Sequence, residues 1–230
     1  MSPQRRSPRR PKARRGPGRV LIVDDHPLMR RGLVQLVAQE PDVDACAEAA
    51  DATAAWTEAE RLRPDFMVVD LSLRESEGLE LIKGIRARYP EVRVLVLSMH
   101  DEKLYAERAL RAGAAGYVQK QESPETVLQA IREVRAGGVY LSPTMAARIL
   151  HRLVGQTTVM ERSPLDTLSD RELEVLDLLG EGLSTRAMAT RLHLSEKTVQ
   201  THREHLRAKL HLESRAELLR YAVARRLATS

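Results

Sequence analysis

The sequence predicts two domains: an α/β domain with a doubly wound, five-stranded parallel sheet, and a smaller all-α domain at the carboxyl end. Through residue 141, short apolar runs rich in β-branched residues alternate with segments of helical periodicity. Parallel strands buried on both faces have this continuous apolar character, and the intervening helices make all strands point the same way. Beyond that point the pattern is helical only, with serines and glycines at the expected helix ends.

Five pairs of a strand and a helix are expected in the α/β domain. Pro27 suits the first turn of the first helix, Ser123 and Pro124 supply an N-cap and N1 residue, and Gly137 can end the fifth helix. The strands are predicted near residues 19–23, 43–48, 65–69, 93–97 and 116–118. The helices are predicted near residues 27–39, 51–62, 78–88, 102–111 and 124–136.

Serine caps mark the helices of the second part. Ser142 and Pro143 are predicted to start a helix, Met145 to about residue 154, that tethers the domains, and residues 155–164 have linker composition. Ser169 and Glu172 form a predicted capping box before a leucine-rich helix, which Gly182 ends. Three further helices are expected to start after serine caps, at Ser184, Ser195 and Ser214, and Ser214 forms a predicted second capping box with Glu217.

Charge is distributed unevenly along the chain. Residues 1–18 carry seven basic side chains and no acidic one, residues 20–141 carry 15 basic and 21 acidic ones, and residues 142–230 carry 14 and 11. The acidic domain suits a metal site and the basic one a phosphate-rich partner. A solvated tail is preferred at the start, with an arm that contacts nucleic-acid phosphates as the alternative. The expected segments are a disordered basic tail (1–18), the α/β domain (19–141), a linker with the tether helix (142–164) and the helical domain (165–230).

The apolar runs and the cysteine content indicate the compartment. None of the runs approaches the roughly 18 residues that a membrane span requires, and the arginine-rich start lacks the apolar segment of a secretory signal. We expect a cytoplasmic protein with no membrane partner.

The single cysteine, Cys46, cannot form an internal disulfide. A small buried hydrophobic residue is the preferred interpretation, and a reactive thiol is the alternative.

Polar residues stand where four of the apolar runs end. Asp24 and Asp25 follow the first run, Asp70 the third, Ser98 the fourth, and Lys120 comes just after the fifth. The carboxyl ends of the strands in a doubly wound sheet border one crevice. Three carboxylates gathered there repel one another, so a hard divalent cation such as Mg2+ and the lysine ammonium are expected to neutralise them. The aspartate at the end of the central strand is free to act as a nucleophile toward phosphorus.

These strand ends resemble the receiver domain of bacterial two-component response regulators. The resemblance covers residues 19 to about 141. It implies that Asp70 is the phosphoacceptor and that a sensor histidine kinase supplies the phosphoryl group. The motifs that carry it are Val23-Asp-Asp-His26, Val69-Asp-Leu71, Leu97-Ser-Met99 and Gly116-Tyr-Val-Gln-Lys120.

The same resemblance implies a metal site and a switch. Mg2+ would be held by Asp25, Asp70 and the main-chain oxygen of Ser72, with Asp24 in support. Lys120 would join the metal in neutralising the acyl phosphate. In the switch, a hydroxyl turns toward the phosphoryl group and an aromatic side chain rotates inward, and the residues concerned are Ser98 and Tyr117.

One loop departs from the receiver pattern. It reads Leu71-Ser-Leu-Arg-Glu-Ser-Glu-Gly78, with Arg74 where receivers usually carry a proline. Without that proline the loop is less restricted. Arg74, Glu75 and Ser72 are placed to alter how long the phosphoryl group survives, so the phosphate lifetime is left open.

Residues 184–210 predict a helix–turn–helix. With about 100° of rotation per residue, the second helix gathers an apolar face for packing, consisting of Val199, His202, Arg203, Leu206 and Leu210. The opposite face is small and polar, consisting of Lys197, Gln200, Thr201, Glu204 and Ala208. Recognition helices present such a face to base edges in the major groove. An ordinary amphipathic helix with a solvated polar face is the alternative.

The helical part also resembles the four-helix DNA-binding domain of the LuxR, FixJ and NarL type. The resemblance covers about residues 165–227. It implies base reading by Gln200, Thr201 and Glu204. It implies DNA-backbone contacts by Lys197, Thr198, Arg203 and Lys209. The motifs that carry it are Leu168-Ser-Asp-Arg-Glu-Leu-Glu-Val-Leu176, Gly182-Leu-Ser184, Leu194-Ser-Glu-Lys-Thr-Val199, Lys209-Leu210 and Ser214-Arg-Ala-Glu217.

Taken together, the resemblances imply a NarL/FixJ-type response regulator, that is, a phosphorylation-controlled transcriptional regulator and not an enzyme. Phosphorylation of Asp70 is expected to favour a homodimer and to tighten binding to double-stranded promoter DNA. In the unphosphorylated chain, the α/β domain is expected to shield the recognition helix. Two alternatives stay open: a DNA-binding regulator that works without phosphate, and an Asp-nucleophile phosphatase. The absence of a cap domain between the strands argues against the phosphatase.

Overall fold

The computed structural model describes residues 18–73, 78–153, 164–192 and 194–229 of the 230-residue chain. Three of the predicted features therefore fall outside the described residues. They are the basic tail, the loop segment with Arg74 and Glu75, and most of the linker.

The first domain is the predicted five-stranded parallel sheet. Its strands are β1 (Gly18–Val23), β2 (Val43–Ala49), β3 (Phe66–Val69), β4 (Arg93–Ser98) and β5 (Gly116–Gln119). The order across the sheet is β2-β1-β3-β4-β5, and all pairings are parallel. The central strand β3 is buried along its whole length, whereas the edge strand β2 is largely only half-buried. The order places the carboxyl ends of β1 and β3 side by side.

Helices cover both faces of this sheet. They are α1 (Pro27–Ala38), α2 (Ala52–Leu62), α3 (Gly78–Arg88), α4 (Glu102–Ala112) and α5 (Pro124–Arg135). Successive β1 residues point to opposite faces, so Ile22 packs in the apolar layer of α1 and α5, and Leu21 packs in the layer of α2, α3 and α4. The predicted helix signals are confirmed, since Pro27 opens α1 and Gly137, with φ of 98°, follows α5.

The tether helix α6 (Pro143–Leu153) follows the predicted start at Ser142 and Pro143. Ser142 Oγ accepts a hydrogen bond from Met145 N at 3.1 Å and so caps the helix, and Pro143 suits the first turn. Before it, Tyr140 extends the sheet by a bridge to Gly116. The exit from the first domain is therefore attached to β5.

The second domain is helical, as predicted. A short 3-10 turn (Pro164–Thr167) leads into α7 (Asp170–Gly180), α8 (Thr185–Arg191), α9 (Glu196–Lys209) and α10 (Arg215–Thr229). Ser169, Ser184 and Ser195 cap α7, α8 and α9, and the box of Ser169 with Glu172 is complete. The predicted second box is modified, because Glu217 accepts from Glu213 N instead of Ser214 N.

Polar contacts from α4 join the two domains. Arg108 donates to the carbonyl oxygens of Leu165 and Leu168 and pairs with Asp170 at 2.6 Å. Tyr105 donates its hydroxyl to Asp177 at 2.9 Å. The first domain thus docks on α7 and on the turn before it. Among the described residues, no helix is both long and apolar enough to cross a membrane.

Candidate functional site

The structure brings the predicted strand-end residues together. Asp24 and Asp70 follow the adjacent strands β1 and β3 and are 1% exposed, and Ser98 at the end of β4 is fully buried. Backbone hydrogen bonds hold these ends in register: Asp70 N donates to Val23 O, and Lys120 N donates to Ser98 O, both at 2.9 Å. A single crevice at the carboxyl edge of the sheet therefore contains the predicted acidic, hydroxyl and ammonium groups.

The ammonium group of Lys120 is shared by two carboxylates. Its Nζ lies 2.7 Å from Asp24 Oδ2 and 2.7 Å from Asp70 Oδ2, and the three side chains are at most 3% exposed. The other oxygen of Asp70 accepts a hydrogen bond from Ser72 N at 3.0 Å. One oxygen of the central aspartate thus faces the lysine, and the other is fixed by the loop that follows β3.

Asp25 supplies a carboxylate oxygen suited to a cation. Its Oδ1 atom is buried and accepts no hydrogen bond from the described residues, although Nδ1 of the half-exposed His26 lies 2.7 Å away. Donor atoms of Asp24, Asp25, His26 and Asp70 all lie within 4.8 Å of one another. A hard divalent cation prefers such oxygen donors, so these residues fit the metal that the sequence predicts.

The protonation equilibria point to an excess of negative charge. Burial raises the pKa of Asp70, and Lys120 and the Ser72 N–H offset only part of that effect. Burial lowers the pKa of Lys120, but Asp70 and Asp24 outweigh it, so the pKa lies above its usual value. Both groups therefore hold protons more tightly than in water, Asp70 because it is buried and Lys120 because two carboxylates share its ammonium. The same imbalance attracts a dication.

Tyr117 occupies the inward position that the sequence analysis associates with the switch. Its side chain is fully buried, and its hydroxyl donates to the carbonyl oxygen of His100 at 2.8 Å. The N–H of His100 donates to Ser98 Oγ at 3.3 Å. The backbone of His100 therefore contacts both predicted switch residues, Ser98 and Tyr117. This contact was not predicted from the sequence.

In the second domain, α9 has the predicted two faces. Val199 and Leu206 are fully buried and Leu210 is 9% exposed, whereas Lys197 and Thr201 are exposed. Among the described residues, no hydrogen bond or ion pair joins α9 to the first domain. The hydrogen bonds and ion pairs that dock the first domain fall on α7 and the turn before it, and the predicted shielding of α9 stays a prediction.

Three of the predicted DNA-backbone residues have partners inside the domain. Arg203 is half-buried on the packing face and donates to Thr185 Oγ1 at 2.7 Å. Thr198 N donates to the cap Ser195 at 3.0 Å. Lys209 Nζ lies 2.6 Å from Glu172 Oε2. These contacts help to hold the three residues in place, and Arg203 and Lys209 keep further N–H donors for a phosphate.

Glu204 lies at the centre of a polar network on the opposite face. It accepts from Gln200 Nε2 at 2.8 Å and pairs with Arg207 at 2.7 Å and Arg215 at 3.3 Å. Neither arginine was predicted as a partner of Glu204. The three-residue spacing of Glu204 and Arg207 on one helix was a signal for the first, whereas Arg215 comes from the next helix.

Comparisons with known proteins agree with this arrangement. The family described as "Response regulator receiver domain" matches residues 20–132, and the family described as "Bacterial regulatory proteins, luxR family" matches residues 166–222. The nitrate/nitrite response regulator protein homolog of Haemophilus influenzae is 37% identical over 197 residues, which cover 86% of this chain and 92% of that protein. The chain belongs to the LuxR-type response regulators.

Further relatives support the two-domain architecture of this response regulator. The oxygen regulatory protein NreC of Staphylococcus carnosus is 33% identical over 213 residues, 91% of this chain and 98% of that protein. The structure of RcsB from Salmonella enterica serovar Typhimurium, bound to promoter rprA with the phosphomimetic BeF3-, is 27% identical, with a TM-score of 0.62. That match covers 90% of this chain and 98% of RcsB. The chain is thus a DNA-binding transcriptional regulator that carries a receiver domain.

Proposed function

We propose that this response regulator accepts a phosphoryl group on Asp70 from a sensor histidine kinase, with Mg2+ bound in the acidic crevice. The observation that carries the proposal is the shared ammonium of Lys120, 2.7 Å from both Asp24 and Asp70, within a group of carboxylates of Asp24, Asp25 and Asp70 whose oxygens lie within 4.8 Å of one another. The crevice is thus preorganised to neutralise added phosphoryl oxygens.

Each residue has a distinct role in the transfer. A carboxylate oxygen of Asp70 attacks phosphorus, an acyl phosphate forms, and the bond between phosphorus and the donor nitrogen breaks. Lys120 holds the attacking carboxylate in place and pairs with the new negative charge, and Ser98 offers a hydroxyl donor. Asp25, Asp70 and the main-chain oxygen of Ser72 would hold Mg2+, with Asp24 in support. When bound, the metal supplies further neutralisation of the phosphoryl oxygens.

The output is binding to double-stranded promoter DNA as a homodimer. The RcsB structure with promoter DNA supports the DNA binding by analogy, and we infer the homodimer because helix–turn–helix dimers read half-sites about one helical turn apart. In the unphosphorylated chain, docking on α7 fixes the orientation of α9 relative to the receiver and places an acidic domain beside a basic one. Phosphorylation releases this docking, and the dimer then aligns two recognition helices. We place these steps in the cytoplasm, where the promoters and the kinase domain are accessible.

Asp70→Asn tests the acceptor directly. The full chain is incubated with acetyl phosphate and Mg2+, and phosphorylation is followed by mass spectrometry of the intact protein. The parent should gain one phosphoryl group and lose this ability when EDTA is present. Asp70→Asn should gain none, because the amide is not a nucleophile toward phosphorus.

Asp44→Asn is the matched control. Asp44 is exposed on the edge strand β2, so the same chemical change there should leave labelling unchanged. Equal labelling of Asp70→Asn and the parent would mean that the acceptor is another residue.

A further inference from the structure

His100 lies between the two parts of the switch, two residues beyond β4. Its backbone N–H donates to Ser98 Oγ at 3.3 Å, and its carbonyl oxygen accepts from Tyr117 at 2.8 Å. Both partners border the phosphoacceptor crevice. A displacement of either side chain therefore acts directly on the backbone of this histidine.

The imidazole ring of His100 bridges the two domains. On one side, its Nε2 lies 3.1 Å from Ser72 Oγ, and the N–H of Ser72 donates to Asp70 at 3.0 Å. On the other side, its Nδ1 lies 3.4 Å from Asp177 Oδ2 in α7 of the DNA-binding domain. A continuous chain of polar contacts thus runs from the acceptor carboxylate to the second domain.

Asp177 is the receiving end of this chain of contacts. The Tyr105 ring stacks on the His100 ring with a centroid distance of 4.3 Å. The Tyr105 hydroxyl donates at 2.9 Å to Asp177 Oδ2, the oxygen that also faces His100. The other oxygen, Oδ1, pairs with Arg225 of α10 at 2.5 Å. One carboxylate, 18% exposed, therefore joins the receiver to both α7 and α10.

We propose that His100 transmits the state of Asp70 to the DNA-binding domain by holding Asp177 in the docked arrangement and releasing it on phosphorylation. The inference rests on the proposed phosphorylation of Asp70. When Ser98 Oγ turns toward a phosphoryl group, the N–H of His100 loses its acceptor. The segment that carries the ring then shifts, and a 3.4 Å contact does not survive a shift of about 1 Å. The domains have two arrangements, and the phosphoryl group favours the open one.

His100→Phe separates this role from packing. Phenylalanine preserves the stacking on Tyr105 but has neither nitrogen. DNA affinity of the full chain is measured by fluorescence anisotropy on a promoter duplex obtained by selection, with and without acetyl phosphate and Mg2+. We expect the unphosphorylated variant to bind DNA at least about fivefold more tightly than the parent, and the effect of phosphorylation on affinity to shrink by the same factor.

Two further variants complete the test. Asp177→Asn removes the charge at the other end of the contact and also weakens the pair with Arg225, so it should raise the basal DNA affinity at least as much as His100→Phe does. The double variant should gain no more than Asp177→Asn alone, because that change has already broken the contact with His100. His151→Phe, at an exposed histidine of α6, should behave as the parent.

The outcomes distinguish the two proposals. If the parent takes up no phosphoryl group, the proposed function fails and this inference fails with it. If the parent responds to phosphorylation and both His100→Phe and Asp177→Asn respond to the same extent from the same basal affinity, only the role of His100 is overturned.

Discussion

Replacement of Glu172 by glutamine should destabilise the DNA-binding domain measurably. This carboxylate is only 3% exposed, and its Oε2 accepts from Ser169 N at 2.7 Å and lies 2.6 Å from Lys209 Nζ. It therefore closes the cap of α7 and ties that helix to the end of α9. Glutamine has the same shape and can still accept from Ser169, but it carries no charge.

The size of the effect follows from these two contacts. A hydrogen bond that involves a charged group contributes about 1.5–3 kcal/mol, and an exposed ion pair contributes about 0.2–1 kcal/mol. Lys209 is 39% exposed, so solvent screens the ion pair and its contribution lies toward the lower end of these two ranges. We expect a loss of about 1–2 kcal/mol. For a domain of this size, each kcal/mol lowers Tm by about 4–8 °C.

The pH dependence gives an independent check on the same carboxylate. Burial of Glu172 opposes ionisation, but the contacts with Lys209 and Ser169 outweigh it, so its pKa lies below the usual value. A lowered pKa contributes stability above the unfolded-state value of about 4.3, and this contribution is lost as the pH falls through the folded-state pKa. The difference in Tm between the parent and Glu172→Gln should thus be full at pH 7, shrink once the pH falls below the unfolded-state pKa, and disappear when the pH lies below the lowered folded-state pKa.

Differential scanning calorimetry of the full chain measures both quantities. Glu181→Gln is the control, because Glu181 forms an ion pair with the half-exposed Arg226 and should cost less than about 1 kcal/mol. An unchanged Tm for Glu172→Gln at pH 7, or a difference that grows as the pH falls, would refute the reasoning.

Two further predictions concern the acceptor loop and base recognition. A methyl group on Gly78 would lie 2.6 Å from Leu71 Cα and 2.8 Å from the carbonyl oxygen of Asp70, so Gly78→Ala should slow labelling by acetyl phosphate. Gly32→Ala in α1, where nothing lies within 4 Å of the added carbon, should leave labelling unchanged and raise stability by about 0.5–1 kcal/mol. Glu204→Ala should change the preferred base at one position per half-site, by about 1–3 kcal/mol, in selection from a randomised duplex library. An unchanged motif with tighter binding would show instead that Glu204 serves only to neutralise Arg207 and Arg215.

Local patterns were sufficient to predict the strands, the helices and the acidic crevice. An apolar run that ends in Asp70 is enough to predict a buried strand with a carboxylate at its end. Gly182, with φ of 80°, marks the end of α7 because residues other than glycine rarely adopt this conformation. The cysteine was less well defined. Cys46 is half-buried, and burial together with Glu48 raises the pKa of its thiol to about 11, which favours the preferred interpretation of an unreactive residue over a reactive thiol.

Contacts between distant segments could not be predicted in this way. Tyr105 and Asp177 lie 72 positions apart in the sequence, and neither belongs to a motif that predicts its contact with the other. Sequence periodicity assigned Arg203 to the packing face of its helix, but the partner Thr185 depends on how two helices cross. The docking of the domains on α7 instead of α9 likewise follows from tertiary geometry that no local pattern encodes.

The anchored exit from the receiver domain limits how far the two domains can separate. Two backbone hydrogen bonds attach Tyr140 to the start of β5. Its N–H donates to Ala115 O at 3.1 Å, and its carbonyl oxygen accepts from Tyr117 N at 2.9 Å. From Leu153 to Pro164 the chain can span at most about 40 Å. In the proposed released state, the DNA-binding domain therefore stays at an effective concentration on the order of millimolar relative to its docking site. At that concentration the proposed switch requires only a modest change in the energy of the polar contacts between the domains.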